Sequence, residues 1–217
     1  MFCCRRHDAR MSKYRLQYFD VRGLGEGIRM IFQYEGVVFE DSRVTMDEWT
    51  EVKETARTGM LPQLTLDDRF QLAQSYAIGR FLGKQFGLHG KTEWEAALID
   101  QYSGFLKDFM IQVNPYLFVL LGRTKGDKKK MRKTIFQPAM ATFCPQIVTI
   151  LNNAKSGYLL PSGITWVDFF YVEYFTSLRN LEGNSFKKYR EIVLYQEKVH
   201  GLPTVADYVK IRPKSQV

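Results

Sequence analysis

Tyr18 closes the segment Tyr14-Arg15-Leu16-Gln17-Tyr18-Phe19-Asp20-Val21-Arg22-Gly23. A phenol at a strand end, just before a glycine-loosened turn, can donate its hydrogen to the thiol of a ligand. Tyr14, Leu16 and Tyr18 fall on one face of an alternating strand. Gly23, Gly25 and Gly27 loosen the turn, after which Ile28, Ile31 and Phe32 open a helical pattern. By itself the segment also fits a half-buried packing tyrosine whose hydroxyl reaches water.

Gln74-Ser75 begins a second helical pattern, with apolar residues at 77, 78, 81, 82 and 86. First-turn amides lack helical partners and carry the positive end of the helix dipole, so this start suits a carboxylate. Ser75 fits a simple cap equally well. Between the two segments lies Gly59-Met60-Leu61-Pro62-Gln63-Leu64, where a proline at a strand start implies an edge, a bulge or a cis peptide. Trp49 and Lys53 stand one helical turn apart and offer one indole donor and one point charge.

The elements that must position these side chains change in kind along the chain. Strands are predicted at 14–19, 38–44, 62–66 and 70–72, with Asp67-Asp68-Arg69 as a hairpin turn and helices near 26–36 and 75–86. With the turn carrying Trp49 and Lys53, the order is strand, helix, strand, helix, hairpin, helix. Beyond Gly87-Leu88-His89-Gly90-Lys91 only helices are predicted: 93–121, 127–153, 165–181, 185–200 and 203–210. The expected fold is therefore α/β plus all-α, a βαβαββα domain over 11–88 followed by an all-helical domain over 93–217. Thr165-Trp166-Val167-Asp168 has the spacing of a capping box, with Ile164 as its staple.

Composition narrows the function classes. With 217 residues, 45% hydrophobic and 14% aromatic, the chain can bury one large core or two modest ones. The most apolar stretch, Phe109 to Leu121, is interrupted by Asn114-Pro115, which favours a buried helix over a membrane span. Cys3, Cys4 and Cys144 make neither a metal-ligand set nor a disulfide framework, so no metal is expected and the location reads as cytoplasmic. The net charge is +8 and its densest source is Lys125 to Lys133, which has no interleaved aromatic to stack on bases. A solvated helix face is the plainer reading, and the charge can still steer anionic ligands. Residues 1–10 are expected to be an unstructured extension or the product of an upstream start. Their adjacent cysteines before arginines also match an acylation pattern.

In order, Tyr14 to Gly23, Phe39-Glu40-Asp41, Trp49-x-x-x-Lys53, Leu61-Pro62, Gln74-Ser75, Phe86-Gly87-Leu88-x-Gly90-Lys91-Thr92 and Ile164 to Asp168 resemble the landmarks of a cytosolic glutathione S-transferase. They are most similar to the sigma class of nematode type, over Met11 to about Pro213. The resemblance implies a thioredoxin-like glutathione-binding domain, and it implies Tyr18 as the hydroxyl that stabilises the glutathione thiolate. It implies Gln74 and Ser75 at the γ-glutamyl end, the Leu61 backbone before Pro62 at the cysteinyl amide, and Trp49 with Lys53 at the glycyl carboxylate. It further implies a homodimer in which Asp108 approaches the partner's site. Phe109, Tyr116 and Phe118 are candidates for the wall of a second, apolar substrate pocket.

Three positions depart from the family pattern. Leu24 stands where sigma enzymes often carry an arginine, which removes a charge near the thiolate. Met60 and Gln63 flank Leu61-Pro62 where a polar residue and an aliphatic are usual, so the edge of the binding strand is expected to pack less well. Arg22 can supply positive potential or tie the turn by an ion pair, and both readings stand. The resemblance implies conjugation of electrophiles, peroxide reduction or prostaglandin-type isomerisation, in a detoxifying enzyme that uses glutathione as cosubstrate. The alternative is a non-enzymatic relative acting as a carrier of apolar ligands or as a crystallin-like protein. A disulfide oxidoreductase is disfavoured because no cysteine occupies the strand-to-helix turn.

Overall fold

The computed structural model describes residues 12–217. The acylation pattern at Cys3 and Cys4 and the expected tail over 1–10 lie outside the described residues. The first unit runs β1 (Tyr14–Phe19), α1 (Gly23–Glu35), β2 (Phe39–Val44), α2 (Trp49–Thr55), β3 (Gln63–Leu66), β4 (Phe70–Ala73) and α3 (Ser75–Phe86). Its four strands lie in the order β2-β1-β3-β4, with β1 parallel to β2 and the other pairs antiparallel. Alternation holds in β1, whose Tyr14, Leu16 and Tyr18 are buried in turn. The β3–β4 hairpin turns through Asp67 and Asp68 at φ 51° and 54°, a left-handed conformation that aspartate tolerates better than most residues.

The second unit is helical: α4 (Glu93–Leu120), α5 (Lys128–Ala154), α6 (Trp166–Glu182) with a 3₁₀ turn at Gly183–Phe186, α7 (Arg190–His200) and α8 (Pro203–Ile211). This is the expected thioredoxin-like domain followed by a helical domain. As expected, helix α4 runs through Pro115, since one missing amide costs a single hydrogen bond in a helix otherwise held by packing. Three details differ from expectation. Helix α1 starts at Gly23, because the glycines form its first turn. Helix α5 contains a π turn at Arg132–Phe136. The segment 185–200 divides into the 3₁₀ turn and α7.

One helix among the described residues, Lys128–Ala154, is long and apolar enough to cross a membrane. Its Phe136, Phe143, Cys144 and Ile147 are buried in the protein core. The Cys144 thiol is fully enclosed there, and burial pushes its pKa up to about 12.

Helix α6 joins the two units. Trp166 and Phe170 on its first turns lie against α3 and α1 at glycines, where a Cβ on Gly79 would come within 2.5 Å of the Trp166 ring and one on Gly83 within 2.4 Å. The start of α6 is fixed by Asp168, whose carboxylate accepts from the Thr165 amide (2.7 Å), the Thr165 hydroxyl (2.7 Å), the Leu159 amide (3.0 Å) and the Tyr195 hydroxyl (2.8 Å). The expected cap is therefore also a tie between α6, α7 and the loop before them. After α8 the chain returns to α1, where the Arg22 amide donates to the Val217 carbonyl (3.0 Å) and its guanidinium to the Gln216 carbonyl (2.8 Å).

Candidate active site

Tyr18 lies across the first turn of α1 with 8% of its surface exposed. Two glycines make room for it. A Cβ on Gly23 would sit 2.6 Å from the phenolic oxygen, and one on Gly25 would sit 2.3 Å from the ring. The Leu24 amide, an otherwise unpaired donor of the helix start, donates to the phenolic oxygen at 3.1 Å. Burial raises the Tyr18 pKa, opposed by the Leu24 amide and by the charges of Arg29 and Arg123. The phenol thus stays protonated at neutral pH, with its oxygen already accepting one bond and its hydrogen free to be donated.

Beneath the ring lies Arg29, fully buried, with its guanidinium carbon 5.9 Å from the Tyr18 ring centroid. It donates to the Val21 carbonyl (2.9 Å) and the Phe19 carbonyl (3.4 Å), and it pairs with Asp41 (2.9 Å) and Glu26 (3.0 Å). Arg29 therefore holds the backbone of the turn that carries the phenol. Sequence reading missed it, and the available signal was an Arg at i+3 from Glu26 on the helix face that also carries Met30 and Phe32 into the core.

Strand register brings Pro62 and Gln74 to the end of the sheet that carries Tyr18. Gln17 pairs with Gln63, and Gln63 with Ala73. One residue further along these strands, Tyr18, Pro62 and Gln74 stand abreast at one end of the sheet. The Leu61–Pro62 peptide is cis, and Gln74 adopts φ 73° immediately before α3. Gln74 is exposed and Ser75 is buried at the helix start, whose amides have no side-chain cap from Gln74. Trp49 opens α2 and packs edge-on against Phe19, with ring centroids 5.1 Å apart. Lys53 lies exposed one turn later. Asp108 is exposed on α4.

Two expectations change. Gln63 does not loosen the binding strand: it is 4% exposed, and its side-chain oxygen accepts from the Arg57 amide at 2.8 Å, pinning the loop that leads into Leu61-Pro62. Arg22 is an ion-pair residue, joined to Glu173 at 3.2 Å with both side chains buried. The charge that Leu24 does not supply is offset at the Tyr18 phenol by Arg29 and Arg123, which both act on it.

A cavity of about 880 Å³ opens from Tyr18 towards α4 and α6 and is lined mainly by apolar side chains, among them Leu24, Leu106, Met110 and Phe118. Phe118 is thus placed on its wall. Phe109 and Tyr116 are not: Phe109 stacks on Phe143 with centroids 4.0 Å apart, and Tyr116 donates to Glu182 while packing on Phe136. The reason is helical phase. Leu106, Met110, Asn114, Leu117 and Leu121 recur every three or four residues along the cavity side. Phe109, Val113 and Tyr116 occupy the next stripe, which faces the helical core.

A thioredoxin-like sheet with a protonated phenol, a cis-proline and a bare helix start at one end, and an adjoining apolar cavity, together make up the candidate site. Known proteins supply the family. The family model described as Glutathione S-transferase, C-terminal domain, matches residues 108–212. A probable glutathione S-transferase 5 of Caenorhabditis elegans is 38% identical over 205 residues, covering 94% of this chain and 98% of the relative. The solved structure of monomeric Na-GST-3 from the hookworm Necator americanus is 36% identical, with a TM-score of 0.89 over 94% of this chain and 100% of that one. A Nu-class transferase structure from Haemonchus contortus is 36% identical, with a TM-score of 0.87 over 95% and 100%. The chain belongs to the glutathione S-transferase family.

Proposed function

We propose that Tyr18 donates its phenolic hydrogen to the sulfur of bound glutathione and holds it as thiolate for attack on an apolar electrophile in the adjoining cavity. The observation that carries this reading is the Leu24 amide on the phenolic oxygen, which fills an acceptor position of the hydroxyl and leaves its hydrogen for a ligand. A cysteine thiol has a pKa near 8.5, so only a few per cent is ionised at neutral pH. A downward shift of about two units corresponds to about 2.7 kcal/mol of preferential stabilisation of the thiolate. In conjugation the sulfur lone pair forms a C–S bond, a leaving group such as chloride departs with its bonding pair, and the thiol proton passes to solvent. The protein is a glutathione transferase, with glutathione as cosubstrate.

The binding roles follow the family pattern residue by residue. Gln74, Ser75 and the α3 amides take the γ-glutamyl end, the Leu61 backbone takes the cysteinyl amide, and Trp49 with Lys53 takes the glycyl carboxylate. Asp108 completes the site from the opposite subunit of a homodimer. The same thiolate is suited to peroxide reduction and prostaglandin-type isomerisation, in a sigma-type, cytoplasmic, detoxifying enzyme. The class and the dimer rest on the residues quoted, since one neighbour is named Nu-class and another monomeric.

The test is glutathione conjugation to a chlorinated dinitrobenzene from pH 6 to 8, comparing the native chain with Tyr18→Phe. Turnover that falls about tenfold or more near neutrality in the variant supports the reading. Retained glutathione binding without turnover in either protein replaces it with the carrier reading, which the size and apolar lining of the cavity favour.

A further inference from the structure

We propose that Arg123 selects, among electrophiles that fit the cavity, those carrying a carboxylate on an apolar body. This inference rests on the transferase reading and adds to it the chemical class of the second substrate. Two charged side chains line the cavity, Asp20 and Arg123. Asp20 is committed to Arg43 at 3.0 Å. The guanidinium of Arg123 has no hydrogen bond or ion pair among the described residues. Lys128, at the start of α5, donates to the Leu120 carbonyl at 3.3 Å. Within the wall the Tyr174 hydroxyl donates to the Asn114 side-chain oxygen at 3.1 Å, and the Asn114 side-chain nitrogen is a neutral donor without the charge of Arg123.

The backbone at Arg123 is held in place. Its amide donates to the Phe118 carbonyl at 2.8 Å, and Gly122 at φ 73° turns the chain at the end of α4, so residue 123 is returned over the cavity wall. The same guanidinium charge acts on the Tyr18 phenol, opposing the effect of its burial. A carboxylate brought beside the glutathione sulfur meets like-charge repulsion from the thiolate. A planar, permanently charged fork at the cavity offsets that repulsion and pairs with a carboxylate through two parallel hydrogen bonds. An electrophile without an anion gains nothing from the same group.

The experiment compares ethacrynic acid with its methyl ester as acceptors of glutathione, in the native chain, Arg123→Gln and Arg123→Lys. The readout is the ratio of kcat/KM for acid over ester within each protein, from which general losses of folding or thiolate formation cancel. The acid is expected to be favoured about tenfold natively, the ratio to fall to about one in Arg123→Gln, and Arg123→Lys to retain part of it. Added salt should shrink the native ratio, because the group is exposed. A native preference for the ester, or a ratio unmoved by Arg123→Gln, overturns the inference. If no electrophile turns over, the transferase reading fails separately. The acid and ester are then compared by calorimetric titration in the presence of S-methylglutathione, and equal affinities in native and variant proteins overturn the role of Arg123.

Discussion

The amide of Leu24 donates to the phenolic oxygen of Tyr18 at 3.1 Å, so the first turn of α1 fills an acceptor position of the hydroxyl and leaves its hydrogen to be donated. A hydroxyl that accepts one bond is polarised into a better donor. The expected consequence is a lowered thiol pKa in the glutathione complex, read from thiolate absorbance against pH. Tyr18→Phe should raise that value by about two units, equivalent to about 2.7 kcal/mol. An unchanged thiol titration would remove Tyr18 from the chemistry.

Gly25 is the second control on the phenol. Alanine there places a methyl 2.3 Å from the ring, and the ring or the helix start must shift. Overpacking of this kind costs about 1 to 3 kcal/mol. Gly25→Ala should therefore lower the unfolding midpoint and also lower kcat at saturating glutathione. Full activity in a stable variant would mean that the ring has more freedom than its surroundings suggest.

The turn is anchored from below by buried charges, and this gives the protein a defined acid limit. Burial tends to raise the Glu173 pKa, but the His200 hydrogen bond at 2.8 Å and the Arg212 and Arg22 charges outweigh it and hold the carboxyl below its ordinary value. A depressed folded pKa contributes stability above the unfolded value of about 4.3, and that stability is lost as pH falls through the folded value. Urea midpoints should be steady from pH 7 to 5 and fall steeply below about pH 4.3. Glu173→Gln should cost about 3 to 5 kcal/mol at pH 7, because Arg22 and Arg212 lose a buried counter-charge, and should flatten the acid limb. Equal acid limbs in the two proteins would assign that limb elsewhere.

Asp168 makes a similar point without a counter-charge. A cap alone is worth about 1 to 2 kcal/mol, but this carboxylate serves four donors and is fully buried. Asp168→Ala leaves the Leu159 and Thr165 amides and the Tyr195 hydroxyl without their acceptor, and should cost about 3 kcal/mol or more while the affinity for glutathione persists. A loss near 1 kcal/mol by denaturant titration would return it to a plain cap.

Local signals carried much of this molecule. The alternation of Tyr14, Leu16 and Tyr18, the turn at Asp67-Asp68, the proline before Gln63 and the Thr165–Asp168 spacing each act within a few residues, and each appears where expected. What escaped depends on phase and distance. Phe109 and Tyr116 are aromatic in the right helix but one stripe away from the cavity, and residue type says nothing about that rotation. Arg29 takes its role at a distance, from Asp41 on the next strand and from the carbonyls of the turn that close around it. The basic character of the cavity wall at Arg123 comes from a loop whose path is set by Gly122 and the Phe118 carbonyl, a backbone arrangement without a side-chain motif.

Gln63 shows how a departure from a family pattern can be absorbed. Its side chain, read in isolation, weakens an apolar strand, yet in place it accepts from the Arg57 amide across the loop that delivers Leu61-Pro62. Gln63→Leu removes that acceptor while keeping similar volume, and a part-buried amide left unpaired costs about 1 to 3 kcal/mol of local stability. The loop rather than the phenol should respond, so KM for glutathione is expected to rise about fivefold or more while kcat at saturating glutathione stays within about twofold. Steady-state kinetics with glutathione as the varied substrate separates the two. A matching fall in kcat would show that Gln63 acts on the sulfur position through Pro62, and an unchanged KM would show that the Arg57 loop takes no part in holding the tripeptide.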